Sequence, residues 1–285
     1  MMKLAHIVNP VHADATSDLG IAQPITFETM RRARDYASGE VKVVLYATQF
    51  AEDHPAVPSD FTTTPDLDRS VLDVGVFRRS HKLPLLKDIL ERLYDATDAD
   101  YLIYTNVDIG LQPHFYVAVG RLLEAGYDAF VINRRTIDAR FDRVEQIPLM
   151  YASLGTSHPG WDCFVFRRSA FQKYDLGRVC IGAPRCGLAL LANLQVHANR
   201  FAEFRKLHLT FHRGDDRAWS DSSAADSAAF NTREVVGLLR RLEEQHGKFD
   251  RKTPPGRFLF RRRFLGPLYE GWVRWANARR GRSGE

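Results

Sequence analysis

Short β-prone runs alternate with segments of helical spacing through the first half of the chain. Leu4-Ala5-His6-Ile7-Val8 predicts a strand that closes at Asn9-Pro10. Pro24 opens a predicted helix that runs to Tyr36, with Ser38-Gly39 as its stop. Residues 41–46 (Val-Lys-Val-Val-Leu-Tyr) form a second strand, so the three elements match a βαβ unit with a parallel pair. Residues 51–70 are rich in Pro, Thr and Asp and read as a loop, and 70–77 as a weaker third strand. Leu85, Leu86, Ile89, Leu90 and Leu93 recur at helical spacing behind Pro84, which buries one face of a helix over 84–95. The run Tyr101-Leu102-Ile103-Tyr104-Thr105 then stops at Asn106-Val107-Asp108. A helix over 113–125 ends at Gly126, and 128–132 is another strand. This alternation predicts an α/β fold, doubly wound.

The second half is less regular. Residues 134–160 are polar and loop-like, 161–166 strand-like, and 169–174 a short helix. Gly182-Ala183-Pro184 leads into a helix near 186–199, and a last strand over 207–211 ends at His212. Residues 213–230 are small, polar and charged. Asn231-Thr232-Arg233-Glu234 has the form of a capping box, followed by Val235, Leu238, Leu239 and Leu242 at helical spacing and Gly247 as the stop. The expected division is an α/β unit over 1–220 and a C-terminal helix with a basic, aromatic tail over 221–285.

Composition narrows the class. Hydrophobic residues make up 45% of the 285, enough for a substantial core and too many for a disordered chain. No run approaches the roughly 20 apolar residues needed to span a bilayer, and the N-terminus lacks the apolar centre of a signal peptide. Cys163, Cys180 and Cys186 have no CxxC spacing and cannot all pair, which fits a reducing cytoplasm and no structural zinc. The net charge of +5 sits in the tail: from Arg251 onward ten Lys/Arg face two Glu, leaving the first 250 residues at −3. The body therefore needs no polyanionic partner. The tail mixes Arg257, Arg261, Arg262 and Arg263 with Phe258, Phe260, Tyr269, Trp272 and Trp275, which suits an anionic membrane surface, with a tail packed back on the domain as the competing reading. No nucleic-acid module is present, so no nucleic-acid partner is expected.

Two segments could carry chemistry. Asp108 falls at the carboxyl end of a strand, where ligands bind in open α/β sheets. Magnesium and manganese take hard oxygen ligands, often one or two carboxylates plus substrate phosphates, and Asn106 could bond a ribose hydroxyl. The competing reading of Asp108 is a turn cap. The second segment is Phe211-His212-Arg213-Gly214-Asp215-Asp216-Arg217-Ala218-Trp219. Imidazole can ligate manganese, Gly214 permits close backbone approach to a phosphate, and Arg217 can pair with its oxygens.

The order of these elements, with an acid ending one strand and a later strand ending in His, resembles the GT-A glycosyltransferases. The resemblance implies a nucleotide-binding α/β sandwich with a mostly parallel central sheet. Its partners would be a nucleotide-sugar donor and a glycan or lipid-linked acceptor, and its cofactor a divalent metal, Mn or Mg. Asp108 then matches the last acid of the D-x-D motif, Asn106 takes the place of the first, and His212 matches the late metal-binding His. His212-x-Gly214-x-x-Arg217-x-Trp219 is similar to the H-x-x-G-x-x-K-P-W run of glycogenin-like enzymes, one residue shorter and with Arg for Lys. His158-Pro159-Gly160-Trp161-Asp162 resembles the central segment that lines donor sugar and acceptor, with Asp162 as catalytic base and His158, Trp161 and Arg185 toward the acceptor. Asn9 and Pro10 would receive the nucleotide base, and Arg78 and Lys82 the phosphates.

One departure stands out. The stretch Ile181-Gly182-Ala183-Pro184-Arg185 holds no acid where many inverting GT-A enzymes carry one. Either Asp162 is the base or the reaction retains configuration. Two rivals remain: a nucleotidyltransferase, disfavoured because residues 11–23 hold one Gly and no Lys or Arg, and a non-catalytic, membrane-peripheral nucleotide-binding protein.

Overall fold

The computed structural model describes residues 1–214 and 225–263. Its nucleus is β1 (Lys3–Val8), which pairs in parallel with β2 (Lys42–Ala47) on one side and β4 (Tyr101–Thr105) on the other. The order is completed by β3 (Thr62–Thr63), β5 (Ile109–Leu111), β6 (Ala129–Ile137), β7 (Thr156–Arg167) and β9 (Thr210–Arg213), running β3-β2-β1-β4-β7-β6-β9-β5. β8 (Phe201–Phe204) pairs with the first half of β6 and β9 with the second. Only β5 and β7 run against the others among the described strands. The sheet is therefore mostly parallel, as expected.

Alternation within strands covers both faces. In β4, Tyr101 and Ile103 pack toward α1 (Asp18–Tyr36) and α3 (Phe115–Glu124). Leu102 and Tyr104 join the opposite core with α2 (Leu86–Ala96), α5 (Cys186–His197) and α6 (Ala225–His246). A strand buried on both faces has no polar side, so it reads as a continuous apolar run. A short α4 (Ile147–Ala152) covers Phe211, and residues 254–263 form a final described helix, α7.

Several local expectations are corrected. α1 starts at Asp18 and runs through Pro24, because Ser17 caps it by accepting the Gly20 amide at 3.0 Å. Residues 70–77 make no strand: the Asp73 carboxylate accepts from the Ser70 amide and hydroxyl, and this local turn outcompetes β-pairing. Thr62–Thr63 takes the edge place instead. Part of the polar loop expected over 134–160 belongs to β6 and β7, which extend well past their apolar runs. β5 and β8 are too short for a periodic signal. Asn231 caps nothing, since α6 already begins at Ala225. The boundary at 220 and the aromatics Tyr269, Trp272 and Trp275 lie outside the described residues. No described helix is long and apolar enough to cross a membrane.

Candidate active site

A cleft of about 770 Å³ opens at the carboxyl ends of β1 and β4 and is closed by the start of α5. Nine of the expected site residues line it: Asn9, Lys82, Asn106, Asp108, His158, Trp161, Asp162, Arg185 and His212. Pro10 is buried, Arg78 is exposed with its amide donating to Asp226, and Gly214 touches the site only through its carbonyl on His212, so these three do not line the cleft. Arg217 lies outside the described residues.

Asp108 occupies the turn between β4 and β5. The three residues of β5 pair antiparallel with β9, setting Ile109 opposite His212. That pairing brings the Asp108 carboxylate to 3.3 Å from His212 Nε2. On its other side, His212 Nδ1 lies 2.8 Å from the Gly214 carbonyl. A carbonyl only accepts, so Nδ1 carries the proton and Nε2 faces Asp108. Gly214 reaches that position with φ of 67°, which explains its need for glycine. Burial pushes the Asp108 carboxyl up, but the hydrogen bond and charge of His212, with Arg134, outweigh it and hold it below the ordinary carboxylate range. Burial lowers His212, and the same bond to Asp108 raises it further, for a net increase.

Asp162 arrives differently. Ile132 pairs with Cys163 and Asn133 with Trp161, so Asp162 is the extra residue of a β-bulge in β7. A bulge re-aims one side chain without breaking the sheet. The carboxylate is about nine-tenths buried, its Oδ1 accepting from Asn106 Nδ2 at 3.2 Å and its Oδ2 lying 3.0 Å from an Arg134 guanidinium nitrogen. Oδ2 nonetheless accepts no properly directed hydrogen bond, and neither does Asp108 Oδ1. Burial raises the Asp162 carboxyl, Arg134 opposes this, and Asp108 adds to it, leaving it above its usual range. Gly160 backs Oδ2 closely, since a Cβ there would lie 3.0 Å away.

Around this centre, Trp161 donates its indole N–H to Glu203 of β8 at 2.9 Å, which orients the ring. Arg185 is the one described non-glycine residue with positive φ, 77°, and its Nε donates to Thr232 while its guanidinium stacks on Phe258 of α7. Lys82 pairs with Glu52 and sits over the Phe50 ring. Sequence reasoning missed Arg134, Tyr104 and Glu203. The same rule that singled out Asp108, a polar residue just past an apolar strand, applies to Arg134 after 129–132.

The residues present fit a divalent cation only in part. Among the described residues no three His, Cys, Asp or Glu side chains converge to hold a metal by themselves. Asp108 with an unsatisfied buried oxygen and His212 held by a carbonyl are two ligands of the right kind, a set that substrate phosphates would complete.

No protein-family model matches the chain, and no curated protein matches it significantly. Solved structures do. The chain is similar to residues 1–349 of TarS from S. aureus at 10% identity and TM-score 0.51, covering 92% of this chain and 72% of that one. It is similar to PcManGT, a mannosyltransferase from Pyrobaculum calidifontis in complex with GDP-Man and Mn2+, at 13% identity and TM-score 0.51, over 96% and 72%. The chain therefore has the GT-A fold.

Proposed function

We propose that this protein is a glycosyltransferase that moves a sugar from a nucleotide-diphosphate donor to a hydroxyl of a glycan or lipid-linked acceptor. The observation that carries this reading is the pairing of two acidic centres in one cleft: Asp108 beside His212, and Asp162, whose buried Oδ2 is paired with Arg134. The fold supports it, because the similar PcManGT is a mannosyltransferase complexed with GDP-Man and Mn2+.

In this reading Asp162 Oδ2 accepts the proton of the acceptor hydroxyl while the hydroxyl oxygen attacks the anomeric carbon. The bond from that carbon to the diphosphate breaks, and the electron pair leaves with the diphosphate, inverting the centre. The raised Asp162 carboxyl is the better proton acceptor for it. Asp108 and His212 hold the donor end, and a divalent cation bound there would offset charge on the leaving diphosphate. Asn9 and Lys82 line the donor side, and Arg217, outside the described residues, is assigned to the phosphates by this reading alone. His158, Trp161 and Arg185 face the acceptor, with the Trp161 ring as a stacking surface. Residues 1–220 make up the catalytic unit, in the cytoplasm, and the basic, aromatic tail that follows the C-terminal helix of 221–285 meets an anionic membrane surface.

A thermal-shift screen of UDP- and GDP-sugars with MnCl2 selects the donor. Asp162→Asn is expected to lower transfer by about 10²–10⁴-fold while donor binding is kept. Retention of wild-type transfer by this variant sinks the base assignment, and full activity of Asp108→Ala with manganese sinks the metal assignment.

A further inference from the structure

Asn106 stands where the D-x-D pattern carries its first acid, a place that suggests a donor contact. Its side chain is committed elsewhere. A carboxylate can only accept, so the Asn106 atom 3.2 Å from Asp162 Oδ1 is the amide nitrogen. The opposite end, Oδ1, accepts from the Tyr104 hydroxyl at 3.1 Å. Burial holds the Tyr104 phenol far above its ordinary range, so that hydroxyl keeps its proton and remains a donor. Turning the amide over would set oxygen against the carboxylate and its NH2 against the Tyr104 hydroxyl. The tyrosine itself is fixed by burial and by stacking on Phe164. Asp162 needs such a brace because the bulge leaves it without a partner residue on β6.

We infer that Asn106, held by Tyr104, is a positioning residue for Asp162 and not a contact to the donor or its metal. The amide binds Oδ1, Arg134 stands beside Oδ2, and together they set the plane of the carboxylate so that Oδ2 meets the acceptor hydroxyl. An acid at 106 would remove the donor and set a second carboxylate against the first, so completing the D-x-D pattern harms this protein. The inference rests on Asp162 being the base.

The test is Asn106→Asp, with Tyr104→Phe as the milder variant that keeps the amide but frees its orientation. Calorimetry of UDP and GDP with MnCl2 reads the donor site, and release of nucleoside diphosphate from a panel of UDP- and GDP-sugars reads turnover. Thermal melts confirm that both variants fold. Asn106→Asp is expected to keep nucleotide affinity within about twofold and to lower kcat at least tenfold, with KM for the donor little changed. Tyr104→Phe is expected to lower kcat several-fold in the same manner, and it decides the matter should Asn106→Asp not fold. Tighter manganese-nucleotide binding, loss of nucleotide affinity, or unchanged kcat in Asn106→Asp overturns the inference. An active Asp162→Asn shows instead that the base assignment itself is wrong, whereas an inactive Asp162→Asn beside an active Asn106→Asp removes only the role of Asn106.

Discussion

Replacing Asn231 by Ala tests how α6 holds the cleft wall. Asn231 is fully buried in the second turn of α6 and accepts from the Cys180 amide at 3.0 Å. Its NH2 donates to the Cys180 carbonyl at 2.8 Å and to the Pro184 carbonyl at 3.2 Å. These bonds clamp both sides of the turn whose residues Ile181 to Arg185 line the cleft. In Asn231→Ala, the Cys180 amide and carbonyl lose these partners in a site closed to water. Each orphaned group costs about 1–3 kcal/mol, so the loss is about 2–6 kcal/mol, a large share of the roughly 5–15 kcal/mol that stabilises a typical protein. At about 2–4 °C per kcal/mol for a protein of this size, Tm falls by at least about 4 °C. Asn231→Asp is expected to be worse than Ala, because a carboxylate keeps one bond but turns an oxygen toward two carbonyls. Urea unfolding followed by circular dichroism measures both. A loss under about 1 kcal/mol in Ala, or an aspartate variant as stable as wild type, would refute the clamp.

Two further outcomes follow from the buried core. Burial holds His6 neutral with its pKa pushed down to about 3, so the unfolded chain takes up a proton below about 6.5 that the fold refuses. Stability is complete above that pH and falls as pH drops toward 3, losing about 2 kcal/mol between pH 7 and 5; His6→Gln removes that part of the slope, and identical slopes in the two proteins would contradict the assignment. At Gly110 of β5, a Cβ would lie 2.4 Å from the Phe211 ring, beside the pairing that joins Asp108 to His212. Gly110→Ala is expected to cost about 1–3 kcal/mol by overpacking and to weaken nucleotide binding with MnCl2; unchanged urea midpoint and affinity would show that the strand pair tolerates the methyl.

The strands β1, β2 and β4 were legible because packing on both faces writes itself into the sequence as a largely apolar run. The α2 helix was legible because Leu86, Ile89, Leu90 and Leu93 share one face, and all four are buried. The ends of apolar runs can be read directly, so Asp108 and His212 could be singled out before any pairing was known, although the last strand is Thr210–Arg213 and holds His212 inside it, not at its end. The Ser70–Asp73 turn is not legible as a turn because two hydrogen bonds accepted by one carboxylate outweigh a β-prone composition. Asn231-Thr232-Arg233-Glu234 has the composition of a cap, yet Asn231 bonds the Cys180 segment, and Glu234 pairs with Arg178. A local motif cannot say whether its polar groups are spent on its own helix or on a distant loop.

The sequence by itself determined the α/β class, the faces that turn inward and the two candidate positions Asp108 and His212, because each depends on neighbours within one turn or one strand. Tertiary structure decided which polar groups meet. Asp108 and His212 are 104 residues apart and touch only because a three-residue strand pairs in one register with β9. Asp162 points into the cleft because β7 carries one residue more than β6 can match. The direction of the Asn106 amide is set by Tyr104 on one side and a carboxylate 56 positions later on the other. Pairing partner, register and hydrogen-bond direction are properties of contacts between distant segments, and no periodicity along the chain records them.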